Sequence, residues 1–104
     1  MLVQVNTDRN IEGSAALAER VEAALREALG RFTGRITRVE VHLSDHNAVK
    51  GGANDKRCLL EARLAGLKPI AVSHEAATIE QAVDGATRQL ERSLDSTLGR
   101  LRDR

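Results

Sequence analysis

The sequence is poor in the residues that most often recognise nucleic-acid bases or carry covalent chemistry. Phe32 is the single aromatic residue, and tryptophan and tyrosine are absent. Stacking of bases on aromatic side chains, a common route to single-strand recognition, is therefore essentially excluded. Cys58 is the single cysteine, which excludes an internal disulfide and fits a reducing compartment.

Long apolar runs are also missing. No stretch approaches the ~20 apolar residues that a membrane helix needs, and residues 1–10 are too polar for a secretory signal peptide. We therefore expect a cytoplasmic protein without membrane contact. A chain of 104 residues fits one domain, which we expect to span residues 1–104.

Neither sign of charge dominates, because the chain has 16 basic and 15 acidic residues. The distribution is uneven, however. Residues 31–70 carry a net charge of +4 and residues 88–104 a net charge of +2, whereas residues 1–30 carry −2. Positive charge thus gathers in the centre and at the C-terminal end, although the total alone does not indicate a nucleic-acid partner.

The spacing of apolar residues predicts the element order β-α-β-β-β-α. Alternation of period two predicts four strands, over Leu2–Asn6, Ile36–Ser44, Lys56–Leu64 and Pro69–Glu75. One helix separates the first two strands, so they can pair in parallel, and the later connections favour antiparallel pairing. Each strand has one apolar face, which predicts an α+β domain with two layers: a four-stranded mixed sheet and both helices on one face.

Helical spacing predicts a first helix from an N-cap at Ser14 to about Leu29, with Gly30 as its stop. Its predicted buried stripe is Leu17, Val21, Ala24, Leu25 and Ala28. A second, longer helix follows the capping box formed by Thr78 and Gln81. Its predicted buried stripe is Ile79, Val83, Ala86, Leu90, Leu94, Thr97 and Leu101.

Three patterns resemble catalytic or ligand sites but favour ordinary structural roles. His42, Asp45, His46 and His74 suggest a metal site, yet residues four apart on a strand lie ~13 Å from one another, too far for one ion. Cys58 points into the core by strand parity, which disfavours a nucleophile. The spacing of a phosphate-binding P-loop is missing around Lys50, Gly51 and Gly52, and we expect these residues to belong to a loop over residues 46–55. We therefore expect no enzyme, no metal, no cofactor and no small-molecule substrate.

Arginine rows are the remaining signal, because guanidinium groups bind phosphates bidentately. On the exposed side of the last helix lie Arg88, Arg92 and Arg102, and near strand ends lie Arg31, Arg35, Arg38, Lys56 and Arg57. Arg57 and Arg63 form a second patch on the open sheet face. A solvated helix face with pairs such as Arg88–Glu91 and Arg92–Asp95 explains the last helix equally well, and the pattern alone leaves both interpretations open.

Particular phrases in the sequence add a resemblance. The phrase Val72-Ser-His-Glu75 and the helix phrases Ala82-Val-Asp-Gly-Ala86 and Arg88-Gln-Leu-Glu-Arg-Ser-Leu94 are similar to those of the ribosome hibernation promoting factor / ribosome-associated inhibitor A family, also called sigma-54 modulation protein or ribosomal subunit interface protein. The likeness spans nearly the whole chain and implies the short form of that family.

The resemblance implies a non-enzymatic factor that binds rRNA of the small ribosomal subunit and silences translation in stationary phase or stress. It implies that basic side chains on the helices contact the rRNA, here Arg88 and Arg92 on the last helix and Arg26 and Arg31 near the end of the first. The alternative from another class is a protein-interaction module that uses the open sheet face or the edge strand Pro69–Glu75 without binding RNA.

Overall fold

A computed structural model of the chain describes residues 1–11, 14–46 and 55–102, without the side chain of Ser14. The elements follow the predicted order. They are β1 (Leu2–Thr7), α1 (Ser14–Ala28), a 3₁₀ turn (Gly30–Phe32), β2 (Ile36–Asp45), β3 (Lys56–Leu64), β4 (Ile70–Ala76) and α2 (Ile79–Arg102). The predicted N-cap contact depends on the Ser14 side chain, which is not described. Most of the predicted loop, including Lys50, Gly51 and Gly52, also lies outside the described residues.

The strands form one mixed sheet in the order β1-β2-β3-β4. The strands β1 and β2 are parallel, with Val3 opposite Val39. The other two neighbouring pairs are antiparallel, and Cys58 lies opposite both Leu43 on β2 and His74 on β4. The predicted α+β fold is therefore confirmed, and β4 is an edge strand, as Pro69 immediately before it indicates.

The core lies between the helices and one face of the sheet. Val39, Val41 and Leu60 from the strands are fully buried, as are Leu25 from α1 and Leu90 from α2. Burial of a side chain of this size is worth about 1.5–3 kcal/mol, so aliphatic packing alone can hold this nearly aromatic-free interior. Strand alternation leaves the opposite face of the sheet open, as predicted.

The end of α1 differs from the prediction. Gly30 does not stop the helix in a left-handed conformation; instead the chain tightens into the 3₁₀ turn, in which the Phe32 N–H donates to the Leu29 carbonyl at 2.9 Å. The turn buries Leu29 completely and Phe32 almost completely. Ala24, predicted to be buried, is exposed.

The start of α2 forms as predicted. The Gln81 N–H donates to Thr78 Oγ1 at 3.1 Å, so Thr78 satisfies one of the unpaired donors of the first turn. The described residues show no return bond from the Gln81 side chain, so the capping box is half formed. Ala82, Val83, Ala86, Thr87, Leu90 and Leu94 are buried along α2. This stripe turns Arg88, Arg92 and Arg102 toward solvent.

Candidate nucleic-acid interface

Gly85 lets α2 approach β4 closely and so orients its arginines. A Cβ atom at position 85 would lie 2.2 Å from Cδ2 of His74, closer than any real side chain tolerates. His74 points toward the helix and its Nδ1 lies 3.3 Å from Nε2 of Gln89. The three phrases that carry the family resemblance therefore meet, because His74 of β4 lies against Gly85 and Gln89 of α2.

Arg88 projects from α2 into solvent and pairs loosely with a neighbour. Its Nη2 lies 3.1 Å from Oδ2 of Asp84, one helical turn earlier, and the two side chains are 69% and 61% exposed. The partner is Asp84 and not Glu91, the neighbour expected from the sequence. Exposed pairs of this kind contribute little to stability because water screens them. Arg88 can therefore exchange its carboxylate for another anion.

Arg92 is exposed one turn further along α2. Asp95, expected to be its partner, is instead held by Arg31, and among the described residues Arg92 forms no ion pair. Its guanidinium faces a groove between α2 and β4. Arg92 thus has a charge that no described carboxylate neutralises directly.

Arg31 joins the 3₁₀ turn to α2 through a bidentate ion pair. Its Nη1 and Nη2 donate to the two carboxylate oxygens of Asp95 at 2.7 and 2.9 Å, and its guanidinium lies 4.1 Å from the centre of the Phe32 ring. The hydrogen bond from Arg31 is the main cause that lowers the pKa of Asp95, with a further contribution from the charge of Arg102. Both side chains of the pair are 55% exposed, so it remains open to solvent.

Predicted arginines from two distant parts of the sequence come together in a cleft here. Arg31, Arg35 and Arg102 line a cleft of about 550 Å³ between the 3₁₀ turn and the end of α2, together with Asp95. Three guanidinium groups and one carboxylate line the cleft, and the charge of Glu91 also acts on Arg31, so the cleft keeps a positive excess. No sequence pattern indicated this meeting, because Arg31 and Asp95 are 64 positions apart.

Arg26 lies at the last turn of α1 and pairs with Glu22, one turn earlier, at 3.1 Å. Its Nη1 also donates to the carbonyl of Met1 at 2.9 Å, which ties the helix to the start of β1. The side chain is 45% exposed. It can contribute charge to the helical side of the molecule but is partly committed to the fold.

Lys56 is tied to carboxylates at the end of the sheet. Its Nζ lies 3.2 Å from Asp45 and 3.1 Å from Asp55, which are 8% and 4% exposed. The hydrogen bonds from Asp55 and Asp45 raise the pKa of Lys56. The strand parity that points Cys58 inward also applies to Lys56, and this signal could have identified it as a structural lysine.

Arg38 and Arg57 lie on the open face of the sheet, away from the helices. Arg38 pairs with Glu40 at 2.7 Å and with the Gln4 side chain, and its Nε is buried without a partner among the described residues. Arg57 is half-buried on the same face. The open face carries three arginines and three glutamates: Arg38, Arg57, Arg63, Glu40, Glu61 and Glu75. Its charges balance, so it has no net attraction for a polyanion.

The other motifs singled out in the sequence do not assemble into a site. His42 lies exposed on the open sheet face, whereas His74 faces α2. Within the described ranges no cluster of three or more His, Cys, Asp or Glu side chains could hold a metal ion. Cys58 is fully buried, and burial raises the pKa of its thiol to about 12. In the same part of the chain no helix is long and apolar enough to cross a bilayer.

The molecule is thus a two-layer α+β domain whose helical side carries exposed arginines, some in solvent-exposed ion pairs and some, such as Arg92, without an ion pair among the described residues. The sequence matches the family described as "Sigma 54 modulation protein / S30EA ribosomal protein" over residues 4–102, and the chain belongs to that family of ribosome-associated factors. The resemblance seen in the sequence is confirmed.

Two solved structures have the same fold. The Thermus thermophilus Protein Y N-terminal domain superposes with a TM-score of 0.73 at 24% sequence identity, covering 93% of this chain and 99% of that one. A ribosomal subunit interface protein from Coxiella burnetii gives a TM-score of 0.72 at 22% identity, covering 95% of this chain and 99% of that one. No curated protein matches the chain in sequence.

Proposed function

We propose that this protein binds the small ribosomal subunit through arginine–phosphate contacts to rRNA and thereby silences translation. Family membership and the fold shared with a ribosomal subunit interface protein support the ribosomal partner. The observation that carries the RNA contact is the group of solvent-exposed arginines on the helical side, whose ion pairs are all open to solvent. This helical-side set consists of Arg26, Arg31, Arg35, Arg88, Arg92 and Arg102.

The chemistry of the set favours the RNA backbone over the bases. Guanidinium forks match phosphate oxygens bidentately, whereas stacking on bases needs aromatic faces. Phe32, the one aromatic side chain, is 5% exposed and covered by Arg31. Binding therefore reads the shape and phosphate positions of a folded RNA and not its base sequence.

A near-neutral net charge is compatible with this partner because of where the acids lie. Asp84 and Asp95 pair with Arg88 and Arg31 through exposed contacts that water already weakens. An rRNA phosphate can replace each carboxylate without leaving a buried charge behind. The pairs thus keep the arginines extended and available in the free protein.

Silencing of translation would follow from occupancy of the small subunit by this protein. A domain seated where messenger and transfer RNA pass through the small subunit excludes both, without any catalytic step. We further propose that the protein acts in the cytoplasm during stress or stationary phase, as the family resemblance implies. A cell-free translation reaction tests this step: added protein lowers reporter synthesis in proportion to the fraction of subunits occupied.

Salt dependence tests the RNA contact. With about five to eight phosphate contacts, the logarithm of the binding constant falls with the logarithm of salt concentration with a slope of about −4 to −7. The measurement is pelleting of the protein with purified small subunits across a salt series. Binding that hardly changes with salt would instead favour a protein contact.

That alternative, a protein-interaction module, draws on the open sheet face and the edge strand. The face has balanced charge, and β4 leaves one side of its backbone unpaired within the sheet. An extended peptide could add to this edge as a further strand. Its prediction is binding to a partner protein that hardly changes with salt concentration.

A further inference from the structure

A polar groove runs between the edge strand β4 and the C-terminal half of α2. It has a volume of about 600 Å³ and is floored by side chains of β4. Its α2 wall consists of two arginines, three hydroxyl groups and one amide: Arg92, Arg100, Ser93, Ser96, Thr97 and Gln89. Every one of these side chains can donate a hydrogen bond. We refer to it as the α2–β4 groove.

Arg92, Ser96 and Arg100 form a column within this groove. They are spaced four residues apart, so each arginine begins about 6 Å along the helix axis from Ser96. Arg100 already reaches back to the hydroxyl groups: its Nη1 donates to Ser96 Oγ at 2.7 Å and its Nη2 to Thr97 Oγ1 at 3.5 Å. The Arg100 guanidinium therefore already lies against the Ser96 hydroxyl, and Arg92 begins one turn before Ser96 on the same wall of the groove.

Carboxylates are absent from the described lining of this groove, which distinguishes it from the other grooves along α2. Asp95 lies in the cleft beside Arg31, and Glu80 and Asp84 lie in the groove between α1 and α2. Asp95 precedes Ser96 in the sequence, but Arg31 holds its carboxylate on the other side of the helix. The α2–β4 groove thus combines two positive charges with neutral donors, the donor set that a phosphate oxygen requires.

We propose that the α2–β4 groove is a phosphate-ester site, in which Arg92 and Arg100 close on one phosphate group above the Ser96 hydroxyl. The shared chemistry is a phosphate carried by an RNA backbone or by a free nucleotide. For the RNA source the site rests on the proposed function and deepens it. It adds Arg100, Ser93, Ser96 and Thr97, which no sequence pattern selected, to a surface where only Arg92 was expected.

NMR titration of ¹⁵N-labelled protein tests the site directly. The probes are a six-nucleotide oligouridylate, ATP, and a matched oligonucleotide with an uncharged methylphosphonate backbone. The expected result is saturable shifts at the Arg92 and Arg100 Nε–Hε signals and at the Ser96 and Thr97 amides, with none from the uncharged backbone. Shifts from the oligonucleotide alone assign the site to RNA, and equal shifts from ATP assign it to free phosphate esters. Shifts confined to other surfaces overturn the proposal.

Two variants with matched controls keep the test specific. Ser96→Asp places a carboxylate between the two arginines and is expected to weaken oligouridylate binding about tenfold, because a charge-assisted contact is worth about 1.5 kcal/mol or more. Gln81→Glu adds the same charge at the exposed start of α2 and should change binding less than twofold. Arg100→Gln should match Ser96→Asp, whereas Arg20→Gln on α1 should match Gln81→Glu. The site is overturned if Ser96→Asp weakens binding no more than Gln81→Glu, or if Arg100→Gln weakens it no more than Arg20→Gln.

Pelleting with small subunits separates this inference from the proposed function. If the wild type does not pellet but the oligonucleotide shifts appear, the ribosomal partner is wrong and the phosphate site stands. If the wild type pellets but shows no oligonucleotide shifts in the groove, and Ser96→Asp pellets equally well, the site is wrong and the ribosomal partner stands.

Discussion

The imidazole of His74 on β4 lies in the space that a side chain at position 85 of α2 would occupy. A Cβ atom there would stand 2.2 Å from His74 Cδ2 and 2.5 Å from Nε2. Glycine is therefore required at position 85 because the His74 ring approaches the backbone of α2 closely, and not because the backbone there adopts a left-handed conformation. The contact fixes how α2 lies on the sheet, and with it the direction of the arginines one turn later.

Substitution of Gly85 tests this contact. Gly85→Ala should lower the free energy of unfolding by about 1–3 kcal/mol, because the added methyl group overpacks a tight contact. Gly99→Ala is the matched control on the same helix, since its Cβ would meet nothing nearer than Arg102 Nη2 at 4.0 Å. Alanine should stabilise that site by up to about 1 kcal/mol through its helix propensity. Urea unfolding measures both, and effects of the same sign would refute the close-contact explanation.

The sequence alone was sufficient for the elements but not for the contacts between them. Period-two alternation located the strands and placed Cys58 inward, and Thr78 located the start of α2 by its capping chemistry. Leu29 was not recognised as buried because it follows α1, where a 3₁₀ turn changes the helical period. The pairing of Arg31 with Asp95 could not be predicted either, since it depends on how two elements distant in sequence pack.

The ion pair between Arg31 and Asp95 predicts a pH dependence. Folding lowers the pKa of Asp95, so its stabilising contribution is present above the ordinary value near 3.8 and is lost as the pH falls through the lower folded value. Asp95→Asn should therefore be slightly less stable than the wild type at pH 7 and equal to it in strong acid. Unfolding midpoints from pH 2 to pH 7 measure the difference, and a gap that persists unchanged in acid would contradict the pair's role.

The burial of Cys58 predicts an unreactive thiol. The side chain is fully buried and its pKa is raised to about 12, so almost no thiolate exists at pH 8. A colourimetric disulfide reagent should label the native protein only as fast as it unfolds, and should label the urea-unfolded protein at once. Rapid labelling of the native state would show that β3 opens locally.

The cluster of Lys56 with Asp45 and Asp55 predicts a stability effect at the end of the sheet. Lys56→Met should destabilise the protein at pH 7, because Asp45 and Asp55 are nearly buried and would lose a positive partner. Lys68→Met, at an exposed position before β4, is the matched control and should have little effect. Thermal unfolding compares the two. A similar loss in both variants would mean that any lysine-to-methionine replacement has this effect, and that the charge cluster is not responsible.

Charge reversal on α2 tests the account's central claim, that the helical side contacts rRNA. The measurement is co-sedimentation of the double variant Arg88→Glu/Arg92→Glu with purified small subunits, beside Arg63→Glu/Lys68→Glu, which makes the same charge change at Arg63 on the open sheet face and at Lys68 just before β4. Circular dichroism first verifies that both variants are folded. The account predicts that the helix variant no longer co-sediments while the sheet variant does. Retention of the helix variant at the wild-type level, or equal loss from both, would contradict it.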